Sequence, residues 1–117
     1  MEPLHLTLET SPFLELSTSK TTAFYGEIPK EVGHLLRLRH LNLSNNTLGG
    51  EIPTSLSNIS ELRIMNIRWN KLIGKIPMDL GSLTKLLVLW VKSNNLTGEI
   101  SPFLGNLSFL EFFFSNL

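Results

Sequence analysis

Apolar residues return along this chain on a beat of 24. Ile28-Pro29, Ile52-Pro53 and Ile76-Pro77 keep that spacing, and Ile100-Ser101 falls on the next beat. Stacked at this period, the chain shows an apolar column at Leu38, Leu62, Leu86 and Leu110. Further columns are Leu41, Met65, Leu89 and Phe113; Leu43, Ile67 and Val91; and Leu48, Leu72 and Leu96. Val32, Leu56, Leu80 and Leu104 form another, and Leu35, Ile59, Leu83 and Leu107 the last. Within each unit Leu41-x-Leu43 alternates with period two, which predicts a short strand with both leucines on one face. Self-similarity at this period predicts a solenoid, in which stacked strands pair into a parallel sheet over a continuous core.

The polar slots repeat as strictly. Asn46, Asn70 and Asn94 follow each strand where the chain must turn inward. An amide side chain there can both donate and accept, and so can satisfy backbone groups of neighbouring coils. Gly50, Gly74 and Gly98 suit a tight bend or close approach between coils. Pro29, Pro53 and Pro77 predict an extended or turning segment on the far side, and Thr54 to Ile59 predicts a short helical or 3₁₀ turn. Amphipathic helices fail as an alternative, because every unit carries a glycine and most carry a proline. The reading is an α/β solenoid, with a parallel sheet on the concave face and turns and short 3₁₀ or helical segments on the convex side.

The pattern L-x-x-L-x-L-x-x-N-x-L-x-G-x-I-P resembles the plant-type leucine-rich repeat. Leu38 to Ile59 fills nearly every slot, with Ser57 and Ile59 as its departures. The resemblance covers about residues 24 to 117 and is nearest to ectodomains of plant receptor-like kinases that sense microbial patterns. It implies a defence-signalling receptor on the extracellular side of the plasma membrane, with a membrane span and a Ser/Thr kinase elsewhere. It also implies a peptide or protein ligand, or a co-receptor built from the same repeat. The chain is not read as an enzyme: Asp79 is its sole aspartate, and kinase catalysis needs two.

Residues 1–23 break the beat, and are expected to be a degenerate or misread, poorly ordered repeat ahead of 24–117, whose last unit is truncated. On the strict period Ser17, Ser19 and Thr22 occupy slots that want Leu, Leu and Asn. With suitable synonymous codons, Leu16 to Ala23 reads in another frame as Leu-Asn-Leu-Gln-Asn-Asn-Ser and restores the consensus. A local frameshift, and hence a non-functional gene fragment, is therefore one expectation. At the other end Phe109 to Phe114 presents an apolar edge that predicts aggregation.

Ten basic and ten acidic residues among 117 cancel, which removes the electrostatic signature of nucleic-acid binding. Cysteine is absent, so disulfides and thiolate metal sites are excluded. No apolar run reaches the roughly 20 residues of a spanning helix, so no direct membrane contact is expected, and the N-terminal residues do not read as a signal peptide. The histidines lack ligand spacing with acids, Gly74-Lys75 is no phosphate loop, and no serine has a base partner; no cofactor is implied.

Function is therefore sought on the concave face, in the strand positions between core leucines. The candidate contacts are His40, Ile64, Val88, Arg63, Arg68, Trp69, Trp90 and Lys92. Trp and Arg are among the types most enriched in binding hot spots. The competing expectation is that these side chains merely cover the sheet, with Arg68 lying over Trp69 or Trp90. Five N-x-[ST] sequons occur, at Asn42, Asn45, Asn58, Asn95 and Asn106. Asn58, Asn95 and Asn106 are the candidate glycan acceptors, because glycans on Asn42 or Asn45 would sit on the binding face.

Overall fold

The structure is a computed structural model, and it describes residues 2–3, 15–17, 24–98 and 111–113. The elements run β1 (Glu2–Pro3), β2 (Glu15–Ser17), β3 (Phe24–Glu27), the 3₁₀ helix η1 (Lys30–His34), β4 (His40–Asn42), β5 (Thr47–Gly49) and η2 (Thr54–Asn58). They continue as β6 (Ile64–Asn66), β7 (Ile73–Gly74), η3 (Met78–Ser82), β8 (Val88–Trp90), β9 (Asn95–Leu96) and β10 (Glu111–Phe113). Five of these strands make one parallel sheet in the order β10-β8-β6-β4-β2. This is the α/β solenoid that the 24-residue beat predicts.

A second layer of strands was not legible in the sequence. The segment after each asparagine pairs with its counterpart in the neighbouring unit, giving sheets β1-β3-β5 and β7-β9, with a bridge from Glu51 to Ile73 between them. Each proline then ends this extended stretch: Pro29, Pro53 and Pro77 precede the 3₁₀ helices with φ near −60°. Their carbonyls accept from the amides of Val32, Leu56 and Leu80 at 3.1–3.2 Å. A proline loses nothing there, since the first amides of a helix have no partner within it.

Among the described residues the apolar columns point inward. Leu41, Leu43, Leu48, Leu56, Ile59, Leu62, Met65, Ile67, Leu72, Leu80, Leu83, Leu86 and Leu89 have no solvent exposure. Burying one such side chain is worth about 1.5–3 kcal/mol, and here every coil repeats the gain against its neighbours.

The asparagines form the polar seam between coils. Asn70 Nδ2 donates to the carbonyls of Leu43 (2.9 Å), Ile67 (3.2 Å) and Arg68 (3.2 Å), while Oδ1 accepts from Leu48 N at 3.1 Å. Asn94 repeats this on Ile67, Val91, Lys92 and Leu72, and Asn46 accepts from Phe24 N at 2.8 Å. One amide thus pairs groups from two coils that water cannot reach. Gly50 takes a left-handed φ of 70°, and a Cβ there would meet the Glu27 side chain of the preceding coil at 2.7 Å. Only glycine fits both demands.

Register corrects two sequence columns. The inner strands keep the beat, pairing Leu41 with Met65 and Met65 with Leu89. At the N-terminal side, however, Leu16 pairs with Leu41, so Leu16 and not Ser17 fills the core slot. Leu16 packs against the core and Ser17 is exposed. A one-residue slip exchanges the faces of a strand, and burying Leu16 decides the direction. At the other end Phe112, not Phe113, pairs with Leu89. Three consecutive phenylalanines at 112–114 offer no alternation to hold the strict beat. Ser19 and Thr22, on which the frameshift expectation still rests, lie outside the described residues, as does the disorder expected of most of 1–23. The Phe109 to Phe114 side chains lie outside them too.

Candidate functional site

The face of the large sheet opposite the core carries the side chains that the fold does not need. In β4, β6 and β8 the core residues Leu41, Met65 and Leu89 alternate with outward residues. His40, Ile64 and Val88 stand side by side in register, each half-buried, and Asn42, Asn66 and Trp90 form the next row. Arg39 and Arg63 are exposed where β4 and β6 begin, and Leu87, which the sequence reading passed over, takes the equivalent place before β8. The signal for Leu87 was its column, shared with Arg39 and Arg63.

Beyond each strand the chain turns through a fixed geometry. Asn42 Oδ1 accepts from Ser44 N (3.1 Å) and Ser44 Oγ (2.7 Å). Asn66 Oδ1 accepts from Arg68 N (3.3 Å) and Arg68 Nε (3.1 Å). These local bonds brace the first two turns, and in all three turns the next residue is left-handed: φ is 63° at Asn45, 58° at Trp69 and 63° at Ser93. Asparagine tolerates that backbone, whereas a bulky residue there is a conformational outlier. Trp69 is nonetheless held there, with half of its surface exposed.

The four central candidates interlock across two coils. The Arg68 guanidinium carbon lies 4.5 Å from the centroid of the Trp90 ring, and Lys92 Nζ lies 5.7 Å from that of Trp69. Arg68 therefore reaches forward to the next coil and Lys92 back to the previous one. Of the two partners open to Arg68 from sequence, it takes Trp90. Each cation–ring contact is worth about 0.5–1 kcal/mol at an exposed site. His40 stands in β4, one coil before this cluster.

Charge is unevenly spread around the cluster. Glu61 is held by Lys85, whose Nζ lies 2.9 Å from both carboxylate oxygens. That bond, then the Lys85 charge, keep the Glu61 carboxyl below its ordinary 4.5, with smaller help from Arg39 and Arg63. Glu27, Glu31, Glu51 and Asp79 lie in β3, η1, the bridge to β7 and η3, away from the concave sheet. Among the described residues no His/Cys/Asp/Glu group could hold a metal ion, and no helix is long and apolar enough to cross a membrane.

Of the glycan candidates, Asn58 is exposed at the end of η2 and Asn95 is exposed in β9. Asn106 lies outside the described residues. Asn42 is engaged with Ser44, and Asn45 is exposed on the rim of the concave face.

Residues 37–59, 61–83 and 85–107 each match a sequence model described as Leucine Rich Repeat. No curated protein matches the chain. Among solved structures, the ectodomain of BIR2 from Arabidopsis thaliana is 36% identical with a TM-score of 0.68, covering 76% of this chain and 45% of that one. The plant peptide hormone receptor RGFR1, solved in complex with RGF2, is 34% identical with a TM-score of 0.77, covering 83% and 17%. A chain of the BIR3–SERK2 complex from Arabidopsis thaliana is 31% identical with a TM-score of 0.68, covering 79% and 53%. The chain thus spans about half or less of each of these structures.

Proposed function

The chain belongs to the leucine-rich-repeat family in its plant-type form, and from that premise we propose a non-catalytic recognition module that grips a peptide or co-receptor through its concave face. Trp69, Trp90, Arg68 and Lys92 are the anchors, bordered by His40, Ile64, Val88 and Arg63. One observation carries the reading: Trp69 stands half-exposed in a left-handed backbone that costs a bulky side chain about 1–2 kcal/mol. Neither core packing nor the turn requires an indole at that slot, since Asn45 and Ser93 serve the same turn in the adjacent coils. Strain that exceeds its structural return, here one exposed contact with Lys92, is the expected mark of a surface that does something else.

Two of the neighbours support binding of this kind, one being a peptide hormone receptor solved in complex with RGF2 and the other a complex of BIR3 with SERK2. As a piece of such a receptor the chain works on the extracellular side of the plasma membrane in defence signalling, Asn58, Asn95 and Asn106 carry glycans, and a membrane span and Ser/Thr kinase belong to the longer polypeptide. That wider reading rests on the share of each neighbour that the chain spans.

The test is selection of a displayed random 12-residue peptide library on the full chain and on its Trp69→Ala/Trp90→Ala variant. Peptides recovered on the parent are expected to bind the variant at least about tenfold more weakly, the loss of one or two buried anchor contacts. Equal binding to both would remove the concave face from the proposal.

A further inference from the structure

The chain carries no net charge, yet the concave face of its second and third coils is cationic. In residues 24–98, Arg39, Arg63, Arg68 and Lys92 line or flank that face, while Glu27, Glu31, Glu51 and Asp79 belong to the second strand layer, its bridge and the 3₁₀ turns. Glu61, whose carboxyl feels the charges of Arg39 and Arg63, has both oxygens on Lys85. Glu15 sits at the far end of the sheet, in register with His40. No carboxylate among the described residues pairs with Arg68 or Lys92.

These two cations are also held in place. Arg68 Nε donates to Asn66 Oδ1 at 3.1 Å, and the guanidinium lies over Trp90. One edge of the fork is thereby fixed, and its two terminal amino groups have no acceptor among the described residues. Lys92 is positioned over Trp69. A guanidinium with its orientation already fixed binds a carboxylate in bidentate fashion with less entropy to lose. Apolar surface shares the face: Ile64 and Val88 are half-buried in the row beyond Asn66 and Trp90, and Leu87 is exposed next to Arg63.

We infer that the concave face selects acidic, extended peptides, with one ligand carboxylate on the Arg68 fork and a second at Lys92. Resting on the proposed peptide recognition, this adds the chemical class of the ligand. Arg68 and Lys92 occupy equivalent slots just past the adjacent strands β6 and β8, in coils that stack about 5 Å apart. Acidic side chains on one edge of an extended peptide recur every second residue, about 6.6 Å, which matches that spacing within the reach of Asp or Glu. An aliphatic ligand side chain further along the face meets Ile64 and Val88.

The same 12-residue library tests it, selected in parallel on the full chain, on Arg68→Gln/Lys92→Gln and on Trp69→Ala/Trp90→Ala. The expected result is a parent pool rich in Asp and Glu spaced two residues apart. Its members should bind Arg68→Gln/Lys92→Gln about tenfold or more weakly, the cost of one charged hydrogen-bonded contact, and weaken in 0.5 M salt. A pool that depends on Trp69 and Trp90 but is neutral, or binds Arg68→Gln/Lys92→Gln unchanged, overturns the acidic class while the concave-face reading stands. A pool indifferent to both variants, or no pool at all, overturns the two together.

Discussion

The turns that follow β4 and β6 share one backbone and carry opposite chemistry. Both begin with an asparagine whose Oδ1 accepts from the residue two positions on, Ser44 in the first and Arg68 in the second. Both then enter the left-handed region, at Asn45 with φ 63° and at Trp69 with φ 58°. Both end in a buried asparagine, Asn46 or Asn70, that ties the coil to its neighbour. What differs is the occupant of the strained slot. Asn45 suits that backbone, whereas Trp69 opposes it and gains no burial in exchange, being half-exposed. The scaffold slots are dictated by the stacking of coils, and the slots between them are free to be spent on recognition.

The comparison breaks most severely at the shared element. Asn70→Ala removes three donated contacts, shared by two Nδ2 hydrogens, and one accepted bond; Leu43 O keeps its bond from Asn46 Nδ2, while Leu48 N loses its partner inside the seam. Each buried group left unpaired costs about 1–3 kcal/mol. Urea unfolding is expected to show a loss of about 2–3 kcal/mol for Asn70→Ala. Asn45→Ala, in an exposed side chain, should lose about 1 kcal/mol, from backbone strain alone. Equal losses at the two positions would mean that the seam is no stronger than the rim.

A reciprocal swap sharpens the contrast at the strained slot. Trp69→Asn relieves about 1–2 kcal/mol of left-handed strain and forfeits about 0.5 kcal/mol of contact with Lys92, for a net gain of about 1 kcal/mol. Asn45→Trp should lose a similar amount. The stabilised Trp69→Asn should also lose peptide binding, since strain and function occupy the same side chain. A thermal melt unchanged by both substitutions would show that the slot accepts tryptophan without strain.

How far the sequence carries depends on how fully each slot is specified. The core columns, the Ile-Pro punctuation and the asparagine seam were legible because each slot has a single physical use. The register held between β4, β6 and β8, whose units keep every core-leucine and asparagine slot, and slipped by one residue at β2 and β10, where Leu16-Ser17 and the phenylalanine run leave the beat underdetermined. The second strand layer was hidden because its pairs, such as Tyr25 with Thr47 and Gly26 with Leu48, lack the alternation that marks a strand. The candidate residues were legible as positions, but their arrangement was not. That Arg68 chooses Trp90, and that Asn66 holds it there, depends on side-chain directions that periodicity does not encode.

The smallest effect lies at the edge of the cationic face, on the Glu61–Lys85 pair. Both partners are substantially exposed, at 36% and 51% of their side-chain surface, so water and salt screen the attraction. Glu61 has a folded-state carboxyl held below the ordinary 4.5, chiefly by its bond to Lys85. A depressed acid contributes stability that is fully present above its unfolded value and is lost as pH falls through its folded one. The advantage of the parent over Glu61→Gln in thermal melts should therefore be small and flat at neutral pH, and should fade below about pH 4.5. Adding 0.5 M salt at neutral pH should shrink it as well. The same substitution removes a carboxylate that interacts with Arg39 and Arg63, so acidic peptides should bind Glu61→Gln at least as tightly as the parent. Weaker binding would place Glu61 among the contacts of the ligand, and would turn the edge of the face from a screened ion pair into part of the site.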